Sequence, residues 1–334
     1  MSTRTPTRTV PEAPLHDCRR AYAATLTDIA RADERLVIVT NDSIGSSNLG
    51  GFHEELPSRL INVGIAEQNQ VGVAAGLENG GKIPVVSCAG SFLSARATEQ
   101  IKIDAAYSHR HMLLCAQSPG LAYGPLGSTH HSAEDVSIMR SIPEMTVIVP
   151  ADPAETAGAV RWAYSELDGP AYIRVSRMKV PALHGEDYVF TPRATVLRGG
   201  GEGGAGSEGA DLTIIANGVT VHRAVDAADR LAAEGVRARL LSVPVVKPLD
   251  EGAVLAAARE TGRIITVEEG TVKGGLGGAV AELVTERCPV PVRRIGVPDE
   301  FAPTGSEAWL MDHWGISADG IIAVARELVA GPAA

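Results

Sequence analysis

Asn62-Val63-Gly64-Ile65-Ala66-Glu67-Gln68-Asn69-Gln70-Val71-Gly72-Val73-Ala74-Ala75-Gly76 sets one carboxylate, Glu67, among small and apolar residues where a glycine-rich helix begins. A charge in apolar surroundings is costly without a partner, so burial should raise the Glu67 pKa and favour the protonated acid. A protonated acid at that point can serve a ring nitrogen of a bound cofactor. The plain alternative is a solvated or capping glutamate in the first helical turn, where carboxylates are common. The rest of the chain decides between the two.

Outward from this stretch, helix-like and strand-like segments alternate through two halves, which argues for two three-layer α/β domains, each a mostly parallel sheet flanked by helices. In the first half, helical periodicity covers Arg19 to Arg31, Glu67 to Leu77, Ser94 to Tyr107 and Pro153 to Glu166. Strands are expected at Leu36 to Thr40, Ile83 to Ser87, His111 to Ala116, Met145 to Val149 and Ala171 to Val175. The second half repeats the pattern, with strands at Leu212 to Ala216, Arg237 to Ser242, Arg263 to Glu268 and Val292 to Gly296. Its helices are Val221 to Glu234, Asp250 to Glu260, Gly277 to Arg287 and Ala318 to Leu328. The expected division is a flexible tail over 1–15, a first domain over 16–180, a linker with a mobile Gly-rich loop over 181–211, and a second domain over 212–334.

Composition narrows the function classes. The 334 residues carry 30 Lys and Arg against 40 Asp and Glu, a formal charge of −10, with no basic block beyond pairs such as Arg19-Arg20 and Arg293-Arg294. Nucleic-acid binding therefore has no electrostatic footprint. Cys18, Cys88, Cys115 and Cys288 form no C-x-x-C pair and read as free thiols of a reducing compartment. Neither a signal peptide nor a membrane span is legible, so a cytoplasmic protein is expected. His130-His131, with His109 and His111, lacks a carboxylate or Cys at ligand spacing, so no metal site is expected in this chain. The Gly274-Gly275-Leu276-Gly277-Gly278 turn lacks a clean G-x-G-x-x-G and a P-loop lysine, which favours close helix–strand packing over nucleotide binding.

Six motifs in order, NVGIAEQNQVGVAAGL (62–77), RATEQIK (96–102), GSTHHSAED (127–135), MRSIPEMTVIVPAD (139–152), VKPLD (246–250) and GGLGGAVAEL (274–283), resemble transketolase. The first half is similar to that family's pyrimidine-binding domain and the second to its C-terminal domain. The resemblance implies thiamine diphosphate as cofactor, with Glu67 hydrogen-bonding its aminopyrimidine and favouring the imino tautomer that makes the thiazolium ylid. Phe92 would stack on the pyrimidine, Asp42 would lie near the thiazolium side, and Ile65 would join the cofactor contacts. For Phe92 a core position, and for Asp42 an Asx turn at a strand end, are the alternatives.

The same resemblance gives His130 a place in the substrate channel as catalytic hydrogen-bond and proton-transfer partner of the donor. His131 reads as a surface histidine. Arg19, Ser46 and Arg177 match phosphate-contacting positions, with Arg174 competing for the place of Arg177. Departures are as informative. Ala89 and Ala95 replace usual aromatics, Pro125-Leu126 replaces an acidic pair whose Asp contacts a donor hydroxyl, Ser118 stands for a phosphate-binding His, and Gly270 for another His.

Family members bind the diphosphate and its Mg2+ or Ca2+ on a separate domain carrying Gly-Asp-Gly…Asn, and no Gly-Asp-Gly occurs in this chain. The resemblance thus implies the C-terminal subunit of a divided transketolase. Its partner would be an N-terminal subunit bearing that motif, in a heterotetramer of two of each chain with sites at the seam. The implied reaction moves a two-carbon ketol unit from a ketose, with a phosphate expected on it, to an aldehyde. Rivals are a 2-oxo-acid dehydrogenase beta-like or deoxyxylulose-phosphate-synthase-like subunit taking a 2-oxo-acid donor, and a non-catalytic scaffold.

Overall fold

Apolar runs of five to eight residues in this chain become strands buried on both faces, as parallel sheets covered by helices require. The structure, a computed structural model, describes residues 14–185, 187–199 and 209–331. Its strands are β1 Leu15–Asp17, β2 Leu36–Thr40, β3 Leu60–Asn62, β4 Ile83–Ala89, β5 Leu113–Gln117, β6 Thr146–Ile148 and β7 Ala171–Val175. There follow β8 Lys179–Pro181, β9 Thr195–Arg198, β10 Leu212–Ala216, β11 Ala238–Ser242, β12 Val245–Lys247, β13 Ile264–Thr271 and β14 Val292–Val297.

The first sheet has seven strands in the order β12-β6-β7-β5-β4-β2-β3, parallel except where β12 meets β6. The second has five, β14-β13-β10-β11-β9, parallel except for the edge strand β9. Side-chain alternation splits each sheet between two cores. Leu36 and Ile38 of β2 pack with Tyr22 and Leu26 of the helix Cys18–Ala32, whereas Val39 packs with Val71 and Ala74 of the helix Glu67–Asn79. In the second domain Ile214 and Ile215 divide in the same way.

Differences from expectation fall at edges. β12 lies in the second half of the sequence yet extends the first sheet, which ties the domains together. The expected linker 181–211 supplies β9, and β1, which begins at the last residue of the expected tail, pairs antiparallel with β8. The mobile-loop expectation for Gly199 to Gly209 falls mostly outside the described residues. The expected helix over Ser94 to Tyr107 contains two π-helical stretches, Phe92–Arg96 and Ile101–Tyr107, around Thr98–Gln100. Such turns insert a residue and re-aim side chains, often at functional sites.

At the Gly-rich turn, a Cβ on Gly275 would stand 2.0 Å from Glu268 Oε2 and one on Gly277 2.6 Å from Thr266 Oγ1, so the glycines permit close packing of the helix Leu276–Arg287 on β13. Glu268 caps that helix, accepting from Leu276 and Gly277 N–H at 2.8 Å each. No described helix is long and apolar enough to cross a membrane. The four cysteines are free, with Cys18, Cys88 and Cys115 buried.

Candidate active site

Side chains gather where the parallel strands of the first sheet end and helices begin, the usual place for a ligand in such sheets. Glu67 opens the helix Glu67–Asn79, and its side chain is fully buried. Asn41, just past β2, donates Nδ2–H to Glu67 Oε1 at 2.8 Å, and Arg96 donates Nη1–H to Oε2 at 2.6 Å. Burial pushes the Glu67 pKa up, but hydrogen bonds from Arg96, its own backbone N–H and Asn41, with the Arg96 charge, outweigh burial and leave the carboxyl below its usual value. The expected rise is therefore corrected for the chain alone. An ion partner 29 positions away holds Glu67 ionised.

Arg96 also covers Phe92, its Cζ 4.6 Å from the ring centroid. The opposite side of this patch is His130, whose ring meets Phe92 edge-on at 5.3 Å and Tyr123 edge-on at 5.8 Å. His130 Nδ1 lies 3.0 Å from Thr129 Oγ1. Arg177 stacks over Tyr123 at 5.1 Å. Glu67, Arg96, Phe92, His130, Tyr123 and Arg177 thus form one chain of contacts, with Leu126, 52% exposed, on the turn after Tyr123.

Arg19 and Ser46 meet through Arg19 Nη1–H donating to Ser46 O at 2.7 Å, while Asp17 takes Nε–H and Nη2–H of Arg19 at 3.0 and 2.6 Å. Arg19 and Arg177 both pull on the half-buried carboxyl of Glu307, whose pKa burial raises. Arg174 does not compete for that role. It is buried against Asp135, with Nε–H to Oδ2 at 3.0 Å, and burial works against its charge while Asp135 holds it far above the usual range.

Asp42 is exposed at φ +67, and its Oδ1 takes Nδ2–H of Asn62 at 3.1 Å. The Asx-type bond here belongs instead to Asn62, whose Oδ1 takes Gly64 N–H at 3.0 Å. Ile65 is 77% exposed beside Glu67. Ser118 is fully buried at φ +51, its Oγ without a hydrogen-bond partner among the described residues. His131, expected at the surface, is 6% exposed, because its turn packs beneath the Tyr123 loop; burial depresses its pKa. A Cβ on Gly270 would stand 3.1 Å from Ala133 O, so a histidine there would force a local shift.

Sequence reading passed over Asn41, Arg96 and Tyr123. Asn41 had a signal, a polar residue ending a buried strand. Arg96 sat within a quoted motif without a role, and Tyr123 had no signal at all.

A buried carboxylate held by Asn41 on one oxygen and by the half-exposed Arg96 on the other, a buried Asn41 Oδ1 with no hydrogen-bond partner among the described residues, and an aromatic face a few ångströms away suit one half of an aminopyrimidine site. Among the described residues no group of His, Cys, Asp or Glu is placed to hold a metal ion. The fold sets this patch of residues in one α/β domain joined to a second.

The chain matches the transketolase pyrimidine-binding domain over residues 16–182 and the transketolase C-terminal domain over 201–321. It belongs to the transketolase family. It is 42% identical over 315 residues to one of the subunits of an apulose-4-phosphate transketolase from Phocaeicola vulgatus, covering 93% of this chain and 97% of that one. To the 6-deoxy-6-sulfo-D-fructose transketolase subunit SqwH of Clostridium sp. it is 40% identical, covering 94% of each. It is 38% identical to 1-deoxy-D-xylulose-5-phosphate synthase of Heliobacterium modesticaldum, covering 92% of this chain but 46% of that protein. A solved split-gene transketolase, described as an inactive beta4 tetramer, superposes with a TM-score of 0.82 at 37% identity over 94% of this chain and 98% of its own.

Proposed function

We propose that this chain is the C-terminal catalytic subunit of a two-chain, thiamine diphosphate-dependent transketolase that moves a two-carbon ketol unit from a ketose with an anionic tail to an aldehyde. The observation that carries this is Glu67, buried at a helix start with Asn41 on one oxygen and a displaceable, 46% exposed Arg96 on the other. Relatives that the chain covers almost end to end are named as transketolase subunits, which supports a divided enzyme.

When bound, thiamine diphosphate supplies the carbanion chemistry. This chain's residues orient and protonate. Glu67 Oε2, once freed from Arg96, holds a proton at a pyrimidine ring nitrogen. Phe92 gives the ring a flat apolar face. His130, fixed edge-on between Phe92 and Tyr123, offers a ring nitrogen to donor oxygens. Arg177 and Arg19 take the anionic tail of the sugar, with Ser46 beside Arg19. Leu126 offers no hydrogen bond to a donor hydroxyl. Diphosphate and its divalent metal fall to an N-terminal subunit carrying Gly-Asp-Gly…Asn, in an assembly of two of each chain. Relatives named for a sugar phosphate and a sulfo sugar favour an anionic donor or acceptor over a 2-oxo acid.

The test is co-expression with the partner subunit and assay with xylulose 5-phosphate, hydroxypyruvate and pyruvate. Ketol transfer from the first two is expected, falling by ~10²–10⁴-fold in Glu67→Ala. Turnover undiminished in that variant would leave the chain a scaffold, and transfer from pyruvate alone would make it a 2-oxo-acid enzyme.

A further inference from the structure

The segment bearing Tyr123, Leu126 and His130 is a loop whose neck is closed by its own backbone. Ser132 N–H donates to Gly120 O at 2.8 Å, and Gly120 N–H donates to Ser132 Oγ at 2.9 Å. That neck rests on a carboxylate from the second domain. Leu121 N–H donates to Glu269 Oε1 at 2.6 Å, and a Cβ on Gly120, at φ +63, would stand only 2.3 Å from the same oxygen. Glu269 projects from β13 and is 3% exposed. Arg174 fastens the other side, giving Nη1–H to Glu269 O at 2.7 Å and Nη2–H to Ser132 O at 3.2 Å. Thr271 N–H adds a bond to Ala133 O at 2.8 Å.

We propose that Glu269 of the C-terminal domain is a positioning residue for ketol transfer, setting through the Gly120–Ser132 neck where His130 and Tyr123 stand against Phe92 and Arg177. This rests on the function proposed above and gives the second domain a part in the reaction. Glu269 touches no substrate. It acts by fixing the backbone from which the loop springs, so a loosened neck displaces the His130 ring from its place between two aromatic edges.

The position is also sensitive to charge. Burial pushes the Glu269 carboxyl up to about 7; Arg174 and the Leu121 N–H pull it down, while Asp135 and Glu307 push it up. A small cavity bordered by Glu269, Arg174, Ser176 and Asn217 lies beside it, about 10 Å³ in volume, room for one water. As pH falls through about 7 the carboxyl becomes neutral and a weaker acceptor for Leu121 N–H, so the neck loosens on the acid side.

The experiment uses the assembled two-chain enzyme carrying Glu269→Ala or Glu269→Gln. Glutamine keeps an acceptor for Leu121 N–H and removes the titration. In the alanine variant the ketose donor KM should rise roughly tenfold, the worth of one hydrogen bond to a charged group, with thiamine diphosphate affinity unchanged. The glutamine variant, a neutral acceptor at every pH, should hold the donor KM near the raised value that the wild type reaches on the acid side, and lose the change that the wild type shows as pH drops through about 7. Wild-type KM in the alanine variant, or a wild-type pH profile in the glutamine variant, would overturn the proposal. If alanine prevents assembly, the glutamine profile alone decides. If the wild-type complex transfers nothing, the function fails first, and amide exchange across 120–132 in the chain still tests the neck. Faster exchange in Glu269→Ala than in Glu269→Gln is expected, and equal exchange overturns it.

Discussion

Replacing Arg96 by methionine removes the charge that keeps Glu67 ionised while retaining a long apolar stem over Phe92. The contact removed is a 2.6 Å hydrogen bond to a carboxylate with no solvent exposure. Hydrogen bonds to charged groups are worth about 1.5–3 kcal/mol. Because Arg96 is itself 46% exposed, water screens its charge, and about 1–2 kcal/mol is a fair share. A pyrimidine nitrogen pairing with Glu67 must displace Arg96, so this energy opposes cofactor binding in the wild type. Arg96→Met should tighten thiamine diphosphate binding to the two-chain complex by roughly 5- to 30-fold. It should also let burial raise the Glu67 pKa, so that less proton uptake accompanies binding at neutral pH. Titration calorimetry in two buffers of different ionisation enthalpy reads both. Unchanged or weaker binding would mean that Arg96 stays on Glu67 with the cofactor in place, which rules out the competition.

Other perturbations test other parts. Arg174→Met leaves Asp135 buried without its cation and should cost about 3–5 kcal/mol in urea unfolding of the assembled protein; a loss below about 1 kcal/mol would mean the pair is dispensable. Leu126→Asp restores an acceptor in the channel and should lower the KM of a hydroxylated ketose by up to about 1–3 kcal/mol while leaving hydroxypyruvate unaffected, as steady-state assays with both donors would reveal. The carboxyls of Glu155 and Glu268 are raised by burial to about 6, so the folded state holds their protons more tightly than the unfolded chain. Their contribution is full below the ordinary 4.5 and lost as pH rises through about 6, about 2 kcal/mol for each group. Glu155→Gln should therefore flatten the fall in stability between pH 5 and 7.5, and a slope equal to the wild type would contradict the assignment.

The central strands were legible because a strand covered on both faces reads as an unbroken apolar run: Leu36 to Thr40, Ala171 to Val175 and Leu212 to Ala216 lie where the residues put them. β3, β9 and β12 were not, being three or four residues long and without a period to detect. That β12 crosses into the first sheet is a topological fact with no local signature. In the site, the family resemblance named Glu67, Phe92 and His130, which the structure joins through Arg96 in one chain of contacts. The direction of the Glu67 pKa shift in the chain alone was not legible, because its carboxylate is paired with Arg96, brought to it by a π-helical stretch that helical periodicity cannot register. The Glu269 support of the His130 loop spans 148 positions and two domains, and nothing short-range announces it.

Proton exchange at the thiazolium carbon of bound thiamine diphosphate, followed by NMR after quenching, bears most directly on the role given to Glu67. The assembled enzyme should exchange that proton rapidly, the Glu67→Gln complex slower by ~10²-fold or more, and this chain alone no faster than free cofactor. Equal exchange in the variant complex would remove Glu67 from the activation step, and full acceleration by the isolated chain would remove the need for a second subunit.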